Sequence, residues 1–182
     1  MLVNRGADVR SKNKQGLDVM HIAAQGDQPL VLAFFYDLGQ PIDSLDEKKG
    51  TPLHWATYLG CEMATAVLLA WSAPLHLRDA DGQTPLHLGT VAGNSRIVRN
   101  LLLKGANRDE KDEKGRTAMD IAQENKADSL IKLLQPPGCL SDFSIRPPLR
   151  PYRKTYLSYL TYVLFFPVGS LYSALFTDQS RA

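Results

Sequence analysis

A chain of 182 residues is long enough for one or two domains with a packed core. With 44% apolar and 22% charged residues it is an ordinary globular mixture, which excludes a wholly disordered polypeptide. The formal net charge of +2 gives no strong field toward nucleic acid, so no nucleic-acid partner is expected.

The first stretch, Leu2-Val3-Asn4-Arg5-Gly6-Ala7-Asp8, reads as the last turn of a helix and its glycine cap. The helix that would bury Leu2 and Val3 is missing from the sequence, so further units of the same kind are expected before it. No basic stretch runs into an apolar core here, and no cleavable signal peptide is expected.

From there the chain repeats itself. His21, His54 and His87 stand 33 residues apart, with Asp120 at the next mark. Gly6, Gly39 and Gly105 keep the same interval, and Ser72 takes the one place where the glycine is missing. Self-similarity at this period marks a stacked-repeat protein. Four helix pairs are predicted, at about 18–38, 51–71, 84–104 and 117–134.

One unit shows why. Thr84 suits an N-cap and Pro85 the first helical position, where its missing N–H costs nothing. Thr51-Pro52 repeats the pair, whereas Asp18 and Thr117 keep the cap without the proline. A short first helix ends near Gly93, and a second starts near Ser95 with Ile97, Val98, Leu101 and Leu102 at helical spacing. Gly105 closes it, and Asp109 to Gly115 forms a turn-rich connection.

Thr51-Pro52-Leu53-His54-Trp55-Ala56 and Thr84-Pro85-Leu86-His87-Leu88 resemble the ankyrin repeat, as do Arg5-Gly6-Ala7-Asp8 and Lys104-Gly105-Ala106-Asn107. The resemblance covers roughly residues 1–135 and implies an all-α ankyrin-repeat solenoid of helix-turn-helix units. Two departures stand out. Lys49 occupies the place of Gly16, Gly82 and Gly115, with the glycine displaced to Gly50. Gly26 comes one residue earlier than Gly60 and Gly93. Those loops are expected to be locally re-shaped. The last unit is degenerate, with Asp120 for histidine and with Lys126 and Asp128 at otherwise small or apolar places, as in a capping repeat.

After Gln135 the texture changes. Pro136-Pro137-Gly138 stops the last helix, and 136–155 reads as a stiff, basic, proline-rich linker carrying Arg146, Arg150, Arg153 and Lys154. Residues 156–176 then run without a charge, about the length that crosses a ~30 Å hydrocarbon layer, and read as one transmembrane helix. Tyr156, Tyr159 and Tyr162 suit an interfacial belt at its basic end. Only Arg181 follows in the tail, 177–182, so the positive side places the repeats in the cytosol. The alternative is a core helix packed on the stack.

No nucleophile–base pair, phosphate loop or metal cluster is legible, so neither catalytic residues nor a metal or cofactor are expected. Two cysteines, Cys61 and Cys139, offer neither a disulfide framework nor ligand spacing, and a reducing compartment is the natural setting. Cys61 reads as a small buried thiol; Cys139, in the linker, is open to reversible palmitoylation. The three histidines read as structural groups bridging backbone between neighbouring units. Recognition is what remains. Ankyrin first helices line an extended concave surface, here Gln25, Trp55, Tyr58, Leu59, Val91 and Ala92. Trp and Tyr are common interface anchors, although Trp55 shares its register with Ile22, Leu88 and Ile121 and reads first as core packing, with Tyr58 the exposed one. The runs Asp46 to Lys49 and Glu110 to Lys114 read as solvated loop tips.

The order of ankyrin stack, basic proline linker and apolar span resembles the ankyrin-bearing protein S-acyltransferases (palmitoyltransferases). So do Gly16-Leu17-Asp18-Val19-Met20-His21-Ile22-Ala23-Ala24-Gln25-Gly26-Asp27 and Arg146-Pro147-Pro148-Leu149-Arg150-Pro151-Tyr152-Arg153-Lys154. The resemblance implies a substrate-recruiting part of an integral membrane enzyme of the Golgi or another endomembrane, binding extended segments of substrates or partners. That family's peptide-binding surface uses a repeat tryptophan beside a polar residue, and whether Trp55 is its counterpart stays open. The Asp-His-His-Cys motif that performs acyl transfer in that family is absent from these residues. A non-catalytic membrane-anchored adaptor and the cytosolic part of an ankyrin-containing ion channel remain as alternatives.

Overall fold

The computed structural model describes residues 9–135. The expected linker over 136–155, span over 156–176 and tail over 177–182 lie outside the described residues, as do Leu2 to Asp8 and Cys139. Among the described residues no helix is long and apolar enough to cross a membrane.

Among the described residues eight helices form four pairs: α1 (Val19–Gln25) with α2 (Pro29–Asp37), α3 (Pro52–Tyr58) with α4 (Glu62–Ala70), α5 (Pro85–Val91) with α6 (Ser95–Leu103), and α7 (Ala118–Glu124) with α8 (Asp128–Leu134). First helices pack in one row and second helices in another, so the described part is an all-helical double layer. The core repeats with the sequence. Met20, Leu53 and Leu86 occupy one register place and are all sealed from solvent, as are Leu68 and Leu101 at another. Each such side chain stabilises the stack by roughly 1.5–3 kcal/mol. Between the rows the chain keeps small residues, Ala23, Ala56, Gly89 and Ala122. A methyl at Gly89 would lie 3.1 Å from Ile97 Cγ2, which shows how closely α5 and α6 approach.

The caps follow the expected pattern. Asp18, Thr51 and Thr117 each accept from the amide three residues on, at His21, His54 and Asp120. Cys61, before α4, offers no side-chain cap. Asp27 of the preceding unit supplies it instead, accepting from Ala64 N–H at 2.7 Å.

The two irregular loops are not re-shaped. Lys49 has φ +60°, matching Gly16 at +74° and Gly82 at +70°, so a lysine adopts the left-handed conformation that its mates reach with glycine. Asp27, at φ +48°, holds the place of Gly60 and Gly93, and Gly26 stays on the right-handed side of the junction. Ser72 does the same for Gly39 and Gly105, at φ +62°. The hydrogen bonds that close each turn are backbone bonds, and they outweigh a left-handed penalty of about 1 kcal/mol per side chain.

Nor are the loop tips merely solvated. Asn13, Asp46, Asp79 and Asp112 stand at the 33-residue interval, each with Oδ1 accepting two loop amides. Asp112 is buried and Asp46 half-buried, which corrects the reading of both as solvated. Short polar side chains that mimic a backbone turn explain this preference. Neighbouring loops are then tied by Glu47 N–H to Gln15 O, Ala80 N–H to Lys48 O and Glu113 N–H to Asp81 O.

Candidate functional site

The histidines sit where one unit meets the next. His54 Nδ1 accepts from Thr51 N–H at 3.2 Å, and Nε2 faces the carbonyls of Leu77 at 3.1 Å and Gln83 at 3.2 Å. His87 repeats this with Thr84 N–H and the carbonyls of Glu110 at 3.0 Å and Arg116 at 3.2 Å. A carbonyl only accepts, so the proton belongs on Nε2 and the rings are neutral bridges. Burial pulls both below the ordinary imidazole value. His21 differs: Nδ1 lies 2.9 Å from Asp18 Oδ1 and Nε2 3.1 Å from Gly50 O. Burial would raise the Asp18 carboxyl, but hydrogen bonds led by that from His21 bring it down to about 2. None of the three faces an open cleft, since all are buried. Asp120, at the same mark in the last pair, turns its carboxylate back on Thr117 N–H and Oγ1.

The first helices present a different chemistry. α1 (VMHIAAQ), α3 (PLHWATY) and α5 (PLHLGTV) carry no charged residue. Tyr58 of α3, Leu59 just after it and Val91 of α5 stand exposed, from 41% to 50% accessible. Gln25 is half-buried among them, and Ala92 is exposed. Tyr58 and Val91 lie 33 residues apart, so α3 and α5 present an exposed apolar or aromatic side chain at one register place. At the register place of Ile22, by contrast, Leu88 and Ile121 are buried.

Trp55 is neither plain core nor free surface. It is half-buried, and its indole N–H donates to Asp46 Oδ2 at 2.8 Å. The other oxygen of Asp46 holds its own loop through Lys48 and Gly50 N–H. The ring is therefore fixed against the loop with its donor occupied. Asp46 has no place in the sequence-derived site; the signal for it was the 33-residue recurrence of Asn or Asp. Cys61 is buried with its Sγ 3.5 Å from Gln25 O, and burial pushes the thiol up, away from reactivity. Among the described residues, no group of His, Cys, Asp or Glu could hold a metal ion.

A family model described as ankyrin repeats (3 copies) matches residues 66–144. Over these residues the repeated unit is the ankyrin repeat. The chain is similar to proteins named as palmitoyltransferases. Palmitoyltransferase Hip14 of Drosophila melanogaster is 34% identical over 82 residues, covering 44% of this chain and 13% of its own. Putative palmitoyltransferase ZDHHC13 of Danio rerio is 32% identical over 122 residues, covering 66% of this chain and 19% of its own. Palmitoyltransferase AKR1 of Naumovozyma castellii is 37% identical over 123 residues, covering 65% and 16%. The chain thus spans 13–19% of the length of these curated relatives.

Proposed function

We propose that this chain is the recruiting part of a membrane-anchored protein S-palmitoyltransferase. Its ankyrin face holds an extended segment of a substrate or partner protein, and residues 156–176 tether the stack to the Golgi or another endomembrane with the repeats in the cytosol. The observation that carries the reading is the exposed set Tyr58, Leu59 and Val91 on two neighbouring first helices and their ends. Side chains of that kind lose hydration cost when a partner covers them, at about 25 cal/mol per Å². The relatives' names support the enzyme assignment, and acyl transfer in this reading is performed by a part of the enzyme outside these 182 residues.

A non-catalytic membrane-anchored adaptor, which would use the same exposed Tyr58, Leu59 and Val91, is the second reading. Both readings require the tether. After expression in cells, the chain should stay with membranes through alkaline carbonate washing and leave them when 156–176 is deleted. Release of the intact chain by that wash would remove the tether from the proposal. For recruitment, Tyr58→Ala should weaken binding of a captured partner; binding that survives loss of both Trp55 and Tyr58 would move the site elsewhere.

A further inference from the structure

We infer that the second-helix row of the stack lies on the surface of an anionic bilayer, its apolar half at the acyl boundary and its basic half at the headgroups. The inference rests on the membrane tether proposed above and says which side of the stack meets the lipid.

The row is formed by α2, α4, α6 and α8, each packed on the next. Leu30, Phe34 and Leu38 are spaced by four along α2 and its cap, so they make one stripe, from 42% to 62% accessible. Their mates 33 residues on, Met63, Val67 and Trp71, stay half-buried although α4 has a neighbour on either side. The stripe therefore looks away from the stack.

At the same places α6 and its cap carry Arg96, Asn100 and Lys104. Arg99 lies on α6 as well, and Lys132 repeats its register in α8. Arg96 is paired with Glu62 at 2.9 Å, whereas Arg99, Lys104 and Lys132 form no ion pair among the described residues. The acids of the row are Asp37, Glu62 and Asp128, so its α6–α8 half sets Arg96, Arg99, Lys104 and Lys132 against Asp128 alone. Lys and Arg held near an anionic leaflet are attracted to it within a Debye length of about 8–10 Å. The leucines, Phe34 and the Tyr36–Trp71 pair, stacked at 4.4 Å, gain by entering the boundary beneath, where aromatic rings collect. A protein partner would have to be acidic at one end and apolar at the other, whereas an anionic leaflet offers both everywhere. Only the linker 136–155 separates the last pair from the proposed span, so such a leaflet is within reach.

The test places the full chain in vesicles of phosphatidylcholine, with or without about 30% phosphatidylserine, and reads tryptophan quenching by brominated acyl chains. The chain has two tryptophans, so Trp55→Phe leaves Trp71 of the row and Trp71→Phe leaves Trp55 of the first-helix side. Trp71 should be quenched at least twofold in the anionic vesicles and much less in neutral ones or at about 500 mM NaCl, with Trp55 unquenched throughout. Arg99→Glu with Lys104→Glu should restore Trp71 emission while the chain stays with the vesicles. In the unaltered chain partial, salt-sensitive quenching is expected, and its absence counts against the inference if a tryptophan variant fails to fold. A chain that resists alkaline carbonate but shows Trp71 unquenched, or Trp55 quenched instead, would overturn the inference and leave the tether standing. Quenching of Trp71 in a chain that the wash releases would remove the tether and keep the row as a peripheral lipid contact. A detergent-solubilised dimer that Phe34→Glu separates into monomers would give the stripe to a second copy and overturn the lipid assignment.

Discussion

At the scale of single residues, the buried imidazoles connect chemistry most directly to stability. His87→Ala removes the bridge to Glu110 and Arg116 and strands the Thr84 amide in a buried place. The expected loss is about 2–3 kcal/mol in a urea titration, and an unchanged midpoint would refute the bridging role. The same groups set the pH response. In the unfolded chain His54 and His87 take up protons near 6.5, whereas in the folded chain burial holds their values lower. The unfolded state therefore binds more protons as pH falls through 6.5, and stability declines from there downward. His87→Gln should flatten that decline between pH 7.5 and 5.5. Asp18 acts with the opposite charge. Its carboxyl sits at about 2 instead of 3.8, so its contribution is complete above 3.8 and disappears as pH falls toward 2. The left-handed side chains give a paired prediction. Lys49→Gly should stabilise by about 0.5–1 kcal/mol, because glycine meets no penalty at φ +60°. Gly82→Ala should cost about 1–3 kcal/mol, since its Cβ would lie 2.8 Å from Glu113 N.

At the scale of elements, each helix pair is legible because local signals agree: cap, proline at the first position, apolar spacing, closing turn. The predicted pairs at 51–71 and 84–104 contain α3 with α4 and α5 with α6, each inside its expected limits. What the sequence hid depends on contacts between units. Asp27 capping α4 from the previous pair is invisible to local reading, because the helix it serves begins at Glu62. Asp46 and Asp112 read as members of charge runs because composition averages over neighbours, whereas only these positions point into their loops. The Trp55 indole likewise finds its acceptor nine residues away in sequence, across a turn. One element also carries a defect. Thr65, in α4, stands where Leu32 and Val98 stand in other pairs, and its buried hydroxyl has no partner. Thr65→Val should raise the unfolding free energy by about 1 kcal/mol; a loss of that size would mean the hydroxyl is satisfied after all.

At the scale of the whole molecule, the stack divides its work between two kinds of surface. Loops and histidines tie neighbouring units through polar bonds, which fixes the relative placement of the first helices. Those helices then offer an exposed face, held still by packing behind it. Substitutions on that face, such as Tyr58→Ala, should change binding with little effect on folding, and substitutions in the ties should do the reverse. Tyr36 and Trp71, stacked at 4.4 Å on the second-helix side, join the first two units away from that face and should fall in the folding class. The measurement that bears most directly on this division is residue-resolved NMR of the full chain titrated with a bound peptide. Shifts should gather at Gln25, Trp55, Tyr58, Leu59 and Val91. Shifts centred instead on α2, α4 and α6, with the first helices silent, would contradict the assignment of the recruiting face.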